Sequence, residues 1–132
     1  MALSNSDKRH LRGLAHSMDP IARIGSKRVT EGVIAHIDEL LENRELIKVR
    51  LLDAERDEVE EARDQLVDAT GAELVQMIGG TLVLFRRRTH EPEIRLPGER
   101  PFAHQVRREK AAKAGGTPRR KRVKQGGKAR GR

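Results

Sequence analysis

Cysteine is absent from this 132-residue chain, which excludes disulfides and thiolate metal sites and is compatible with a reducing compartment. Tryptophan and tyrosine are absent too, leaving Phe85 and Phe102 as the whole aromatic complement. No run of about 18 apolar residues occurs, so no membrane-spanning helix is expected. Met1-Ala2-Leu3-Ser4-Asn5 lacks the charged-then-apolar pattern of a secretory signal, and the expectation is a soluble, cytoplasmic protein. Catalytic and metal signatures are also missing. His10, His16, His36, His90 and His104 show no metal-ligand spacing, and no nucleophile elbow, P-loop or dinucleotide fingerprint is present. The acidic run Asp53, Glu55, Asp57, Glu58, Glu60 and Glu61 lacks the glycine and terminal glutamate of an EF-hand loop. It reads as a solvated helix start favoured by the helix dipole, one that repels polyanions from its own side. No enzyme activity, metal or cofactor is expected.

What the chain does have is positive charge, unevenly placed. The formal net charge is +8. Residues 1–98 carry 15 Lys and Arg against 18 Asp and Glu, whereas residues 99–132 carry 13 against 2. The division gives a domain over 1–98 and a basic tail over 99–132. The tail cannot bury enough apolar surface to fold and is expected to be disordered when free, apart from a marginal helix near Phe102–Ala112. Arg119, Arg120, Lys121, Arg122 and Lys124 are its candidate polyanion contacts, and their binding would weaken steeply with salt.

Within the domain the pattern alternates between helical and extended periods. Ser4 followed by Asp7 resembles a capping box, opening a helix to about His16 that Pro20 separates from the next element. Ile21 to Ile24 reads as a short strand. Val33, Ile34, Ile37, Leu40 and Leu41 recur at helical spacing between Thr30 and Asn43. Residues 45–51 alternate as a strand, 57–70 form a third helix stopped at Gly71, and 74–78 and 81–85 form a hairpin around Gly79-Gly80. The order α-β-α-β-α-β-β implies a compact α/β domain with a small mixed four-stranded sheet. Its first two strands are parallel through a right-handed crossover, and the doubly apolar strand 81–85 lies inside the sheet.

The stretch Arg23-Ile24-Gly25-Ser26-Lys27-Arg28-Val29-Thr30-Glu31-Gly32 joins strand to helix. Gly25 permits a turn, Thr30 is a good N-cap, and the helix start favours an anion. Lys27 and Arg28 place cations beside it. A phosphate is the expected ligand; an ordinary charged connection is the competing account.

Several segments occur here in one order: Leu11-Arg12-Gly13-Leu14-Ala15-His16, the Gly25–Gly32 loop, Glu45-Leu46-Ile47-Lys48-Val49, and Thr70-Gly71-Ala72. Ile78-Gly79-Gly80-Thr81-Leu82-Val83-Leu84-Phe85-Arg86 and Ile94-Arg95-Leu96-Pro97 come after them. Together, over roughly residues 3–98, they resemble the CRM domain and most closely its stand-alone bacterial YhbY-like members. The resemblance implies a fold similar to the C-terminal domain of translation initiation factor three. It implies RNA contact through a GxxG loop, association with precursors of the large ribosomal subunit, and no enzymatic activity. The chain departs from the motif at Arg28, which stands where the second glycine would be. It departs again at Gly80, where family members often carry lysine.

The RNA-binding candidates are therefore Gly25, Ser26, Lys27, Arg28 and Thr30 in the loop, Lys8, Arg9 and Arg12 on the first helix, and Arg86, Arg87 and Arg88 after the hairpin. With so few rings, phosphate and sugar contacts would outweigh base stacking. The expected role is a monomeric assembly factor on ribosomal RNA of the large-subunit precursor. The alternative is a protein-interaction adaptor whose tail meets an acidic partner. A DNA-binding role has only the tail in its favour.

Overall fold

A computed structural model describes residues 2–25 and 28–115 of the chain. The chain divides after Glu99 into two units. The first contains α1 (Asn5–Ala15), β1 (Ala22–Ile24), α2 (Glu31–Arg44), β2 (Leu46–Leu51), α3 (Arg56–Thr70), β3 (Glu73–Ile78) and β4 (Thr81–Phe85).

Local chemistry sets the helix ends. Ser4 Oγ accepts from the Asp7 N–H and Asp7 Oδ2 accepts from the Ser4 N–H, each at 3.0 Å, so aspartate serves where the capping box usually has glutamate or glutamine. Thr30 Oγ1 accepts from the Val33 N–H at 3.2 Å and caps α2. Gly71 ends α3 at φ 76°, the left-handed conformation that glycine adopts without a Cβ penalty.

The sheet order is β1-β2-β4-β3. β1 pairs parallel with β2, while β2 and β3 each pair antiparallel with β4. The expected mixed sheet with β4 inside it is therefore the one observed. Strand alternation divides the core between its two faces. On one face Ile24, Ile47, Val49, Leu51, Leu82 and Leu84 pack with Ile37 and Leu41 of α2 and with Val59, Ala62 and Leu66 of α3. On the other, Leu46, Val75, Val83 and Phe85 pack with Leu11 and Ala15 of α1 and with Leu96. The register of β3 shifts between Leu74 and Gln76, as in a β-bulge.

Glu45 differs from its expected place as the first strand residue. It ends α2 at a positive φ of 67° with ψ −46°, outside the left-handed helical region, and is 1% exposed. Its Oε1 accepts from the Glu93 and Ile94 N–H groups at 2.7 and 3.0 Å, and Oε2 accepts from the Arg88 N–H at 3.2 Å. Those three donors satisfy a carboxylate that would otherwise be costly to bury. They also fasten the segment after β4 to the domain.

In the second unit, α4 (Ala103–Gly115) occupies the stretch where the sequence allows a marginal helix. Gln105 Oε1 accepts from the Phe102 N–H at 3.0 Å, and the Phe102 and His104 rings stack with centroids 6.1 Å apart. The tail candidates Arg119, Arg120, Lys121, Arg122 and Lys124 lie outside the described residues.

Candidate nucleic-acid interface

Parallel pairing of β1 with β2 aligns Ile24 with Leu51. The connection after β1 therefore lies beside the turn after β2. Arg28 joins the two. Its N–H donates to the Gly25 carbonyl at 3.0 Å, and its guanidinium donates to the carbonyls of Gly25, Leu52 and Asp53 at 2.9, 2.9 and 3.0 Å. Nε and Nη2 both reach Glu58 Oε2 at 3.4 Å. The Arg28 side chain is 22% exposed. Its backbone lies at φ 61°, the region that glycine would reach without cost. Arg28 thus retains the backbone conformation that a second glycine would favour, and its side chain ties the loop to the domain. The expected use of this guanidinium as a cation for a phosphate would compete with those bonds.

The same geometry relocates the acidic start of α3. The sequence suggests that these carboxylates repel polyanions from their own side, but Arg28 brings the Glu58 carboxylate and the Asp53 backbone next to the loop. Glu58 is held below the ordinary carboxylate value of 4.5, first by the Glu55 N–H and then by the Arg28 charge and hydrogen bond. Gly25 is exposed, and a Cβ there would meet nothing within 4 Å. No contact among the described residues requires glycine at this position, which leaves room for an approaching ligand. Thr30 holds the helix start, while Ser26 and Lys27 lie outside the described residues.

Arg86, Arg87 and Arg88 do not join this loop. Antiparallel pairing puts Phe85 opposite Leu46, at the far end of β2 from Leu51, about 17 Å away at the usual rise per strand residue. Each guanidinium is engaged there. Arg86 bonds Asp38, Glu42 and the Thr70 carbonyl. Arg87 forms a two-pronged pair with Glu99. Arg88 bonds the carbonyls of Asn43 and Glu91. Glu99 is held below its ordinary value, chiefly by the Arg87 hydrogen bond and then by the Leu96 N–H. Lys8, Arg9 and Arg12 are on α1, on the other side of the sheet from α2 and α3, with Arg9 exposed and the other two half-buried. The structure therefore separates the candidates into a loop group, an α1 group and a buttressing group.

Sequence reasoning passed over Arg23 and Arg50, which are exposed cross-strand partners at the loop end of β1 and β2. Their signal was present in the alternation of Ala22-Arg23-Ile24 and of Val49-Arg50-Leu51, which turns both arginines away from the face covered by α2 and α3. Gly80 has a steric basis as well. A Cβ there would lie 2.8 Å from the Leu51 carbonyl oxygen, so the lysine often found in the resembled family would require the backbone to shift.

Comparison with known proteins agrees with this architecture. Residues 3–86 match the profile of the CRS1 / YhbY (CRM) domain. An RNA-binding protein of Haemophilus influenzae is 41% identical over 95 residues, covering 72% of this chain and 95% of its own length. The probable RNA-binding protein YqeI of Bacillus subtilis is 38% identical over 95 residues, with coverages of 72% and 99%. The solution structure of a hypothetical protein from Staphylococcus aureus superposes with a TM-score of 0.64 at 46% identity, covering 73% of this chain and all of that one. By profile, identity and fold, the chain belongs to the CRS1/YhbY (CRM) domain family.

Proposed function

We propose that this protein binds RNA, and that its target is ribosomal RNA of the large-subunit precursor, on which it acts as a monomeric, cytoplasmic assembly factor. The relatives named as RNA-binding proteins support RNA as the ligand. The observation that carries the reading is the β1–α2 connection. At the position of the second glycine of a GxxG loop, Arg28 holds the left-handed conformation at φ 61°, while the side of Gly25 is left open. The start of α2 adds a favourable potential for a phosphate, and the loop sequence carries a second cation at Lys27. The domain supplies placement and the basic tail supplies salt-sensitive affinity.

Crosslinking in cell lysate, sequencing of the bound RNA and gradient sedimentation test the proposal together. Enrichment of large-subunit ribosomal RNA, with the protein in precursor particles, is the expected result. Crosslinks spread over unrelated RNAs would remove the ribosomal assignment. Protein confined to the free fractions without crosslinked RNA would remove the RNA reading itself.

A further inference from the structure

α1 covers only part of its side of the sheet. Its buried residues Leu11 and Ala15 pack with Leu46, Val75, Val83 and Phe85, toward the end of β2 remote from the loop. The opposite end carries a row that crosses all four strands. Arg23 pairs with Arg50, Arg50 with Thr81, and Thr81 with Ile78. Cross-strand partners share a face, so these four side chains form one line about 14 Å long at the usual strand spacing. Arg23 and Arg50 are exposed, and Ile78 is 63% exposed. The neighbouring row contains Lys48, Val83 and Gln76. Lys48 Nζ is occupied by the Met18 carbonyl at 2.9 Å.

Charge distinguishes this row from the braced arginines of the domain, through a lack of carboxylate partners among the described residues that it shares with Arg9, Arg12, Arg44 and Arg95. Arg28, Arg56, Arg63, Arg86, Arg87 and Arg88 each have a carboxylate partner. Neither Arg23 nor Arg50 has one among the described residues, and neither row contains an acid. Two guanidiniums side by side on adjacent strands repel each other, and an anion between them removes that repulsion. The chain's own tail cannot serve, because residues 99–132 carry 13 cationic side chains against 2 acidic ones. A second copy would bring the same cations. The row also begins one residue before Ile24, where β1 enters the loop.

We infer that this open end of the sheet is a second RNA-contact surface continuous with the loop. Arg23 and Arg50 hold consecutive backbone phosphates of a single strand, and Ile78 offers an apolar seat for a sugar or base edge. The inference rests on the RNA reading above and extends it to residues outside the loop. It also fits the scarcity of rings, since this sheet face holds a strand by charge and apolar contact rather than by aromatic stacking.

The test uses the full-length chain, with poly(U) as probe and polyglutamate as a second polyanion, titrated between 50 and 200 mM salt. Each lost single-strand phosphate contact should flatten the log–log salt slope by about 0.7. The Arg23→Ala/Arg50→Ala double variant should therefore flatten it by about 1.4, and lose roughly sevenfold less affinity than the parent across that fourfold salt range. The double lysine variant should restore the slope. Ile78→Ser should weaken poly(U) binding at every salt concentration without changing the slope. Thermal melting of each variant at the parent temperature excludes a folding defect. A double alanine variant with the parent's slope and affinity for poly(U) overturns the inference while leaving the RNA reading in place. Loss confined to polyglutamate overturns it in favour of an acidic polypeptide. A parent chain that does not bind poly(U) at all removes both.

Discussion

At Arg28 two energetic contributions oppose each other. A non-glycine residue at φ 61° sits in a backbone region that costs about 1–2 kcal/mol, and the guanidinium offsets this through the carbonyls of Leu52 and Asp53 and the Glu58 carboxylate. Substituting the side chain separates the two. Arg28→Ala keeps the strain and removes the bonds, and should destabilise the domain by about 1–3 kcal/mol. Arg28→Gly removes both, and should be more stable than the alanine variant by about 1 kcal/mol. Chemical denaturation of the three proteins checks the order; equal stability of the glycine and alanine variants would contradict the strain. Acid addresses the same contact. The folded-state pKa of Glu58 is lowered, so its contribution is present above the unfolded-state value of about 4.3 and is lost as pH falls below that through the folded value. In Arg28→Ala, carboxyl titration by NMR should show Glu58 moving upward yet staying below the ordinary value, because the Glu55 N–H is the larger cause.

At the scale of elements, helix ends were legible because capping is a local signal. Ser4 with Asp7, Thr30 and Gly71 each act within a few residues of their own position, and the helices and strands could be placed from them and from the apolar period. The partners of the arginines were not legible. Arg28 meets Glu58 across 30 positions and Arg86 meets Asp38 across 48, distances that only the strand pairings close. The run Arg86-Arg87-Arg88 reads as a cationic patch in sequence and becomes three separate braces once β4 is set antiparallel to β2. The hairpin shows the same dependence. Gly80 looks like ordinary turn chemistry, yet its carbonyl accepts from the Leu51 N–H at 2.7 Å and its missing Cβ makes room for the Leu51 oxygen. Gly80→Ala should cost about 1–3 kcal/mol through forced backbone movement. Thermal melting reads that loss, and an unchanged midpoint would mean that the hairpin yields without penalty.

For the whole molecule, the boundary has a chemical marker. Glu99 accepts from Arg87 and from the Leu96 N–H, so the folded unit ends on a working residue. A chain ending at Glu99 should keep the parent's folding stability, lose RNA affinity and show a flatter salt slope, since it lacks 13 of the 28 cationic side chains. A chain ending one residue earlier loses the Glu99 side chain that pairs with Arg87 and should melt at a lower temperature. Binding titrations and melting curves on the pair separate the tail's electrostatic contribution from the domain's integrity. An unchanged salt slope would remove the tail from the binding account, and identical melting curves would remove Glu99 from the stability account.

The Glu45 carboxylate gathers the amides of Arg88, Glu93 and Ile94. One side chain thereby closes a stretch of chain that has no ladder of its own among the described residues. Such a closure opens as a unit when this shared anchor is weakened, since the remaining ties to α2 are the side-chain bonds of Arg88 to Asn43 and of Thr89 to Glu42. In Glu45→Gln the amides of residues 88, 93 and 94 should exchange hydrogen with solvent together, well ahead of the sheet, and a protease should nick this stretch first while the α2–β2 core remains intact. Exchange that stays slow at these amides would mean that Ile94 and Leu96, packed on the sheet's second apolar cluster, are enough to keep the segment shut.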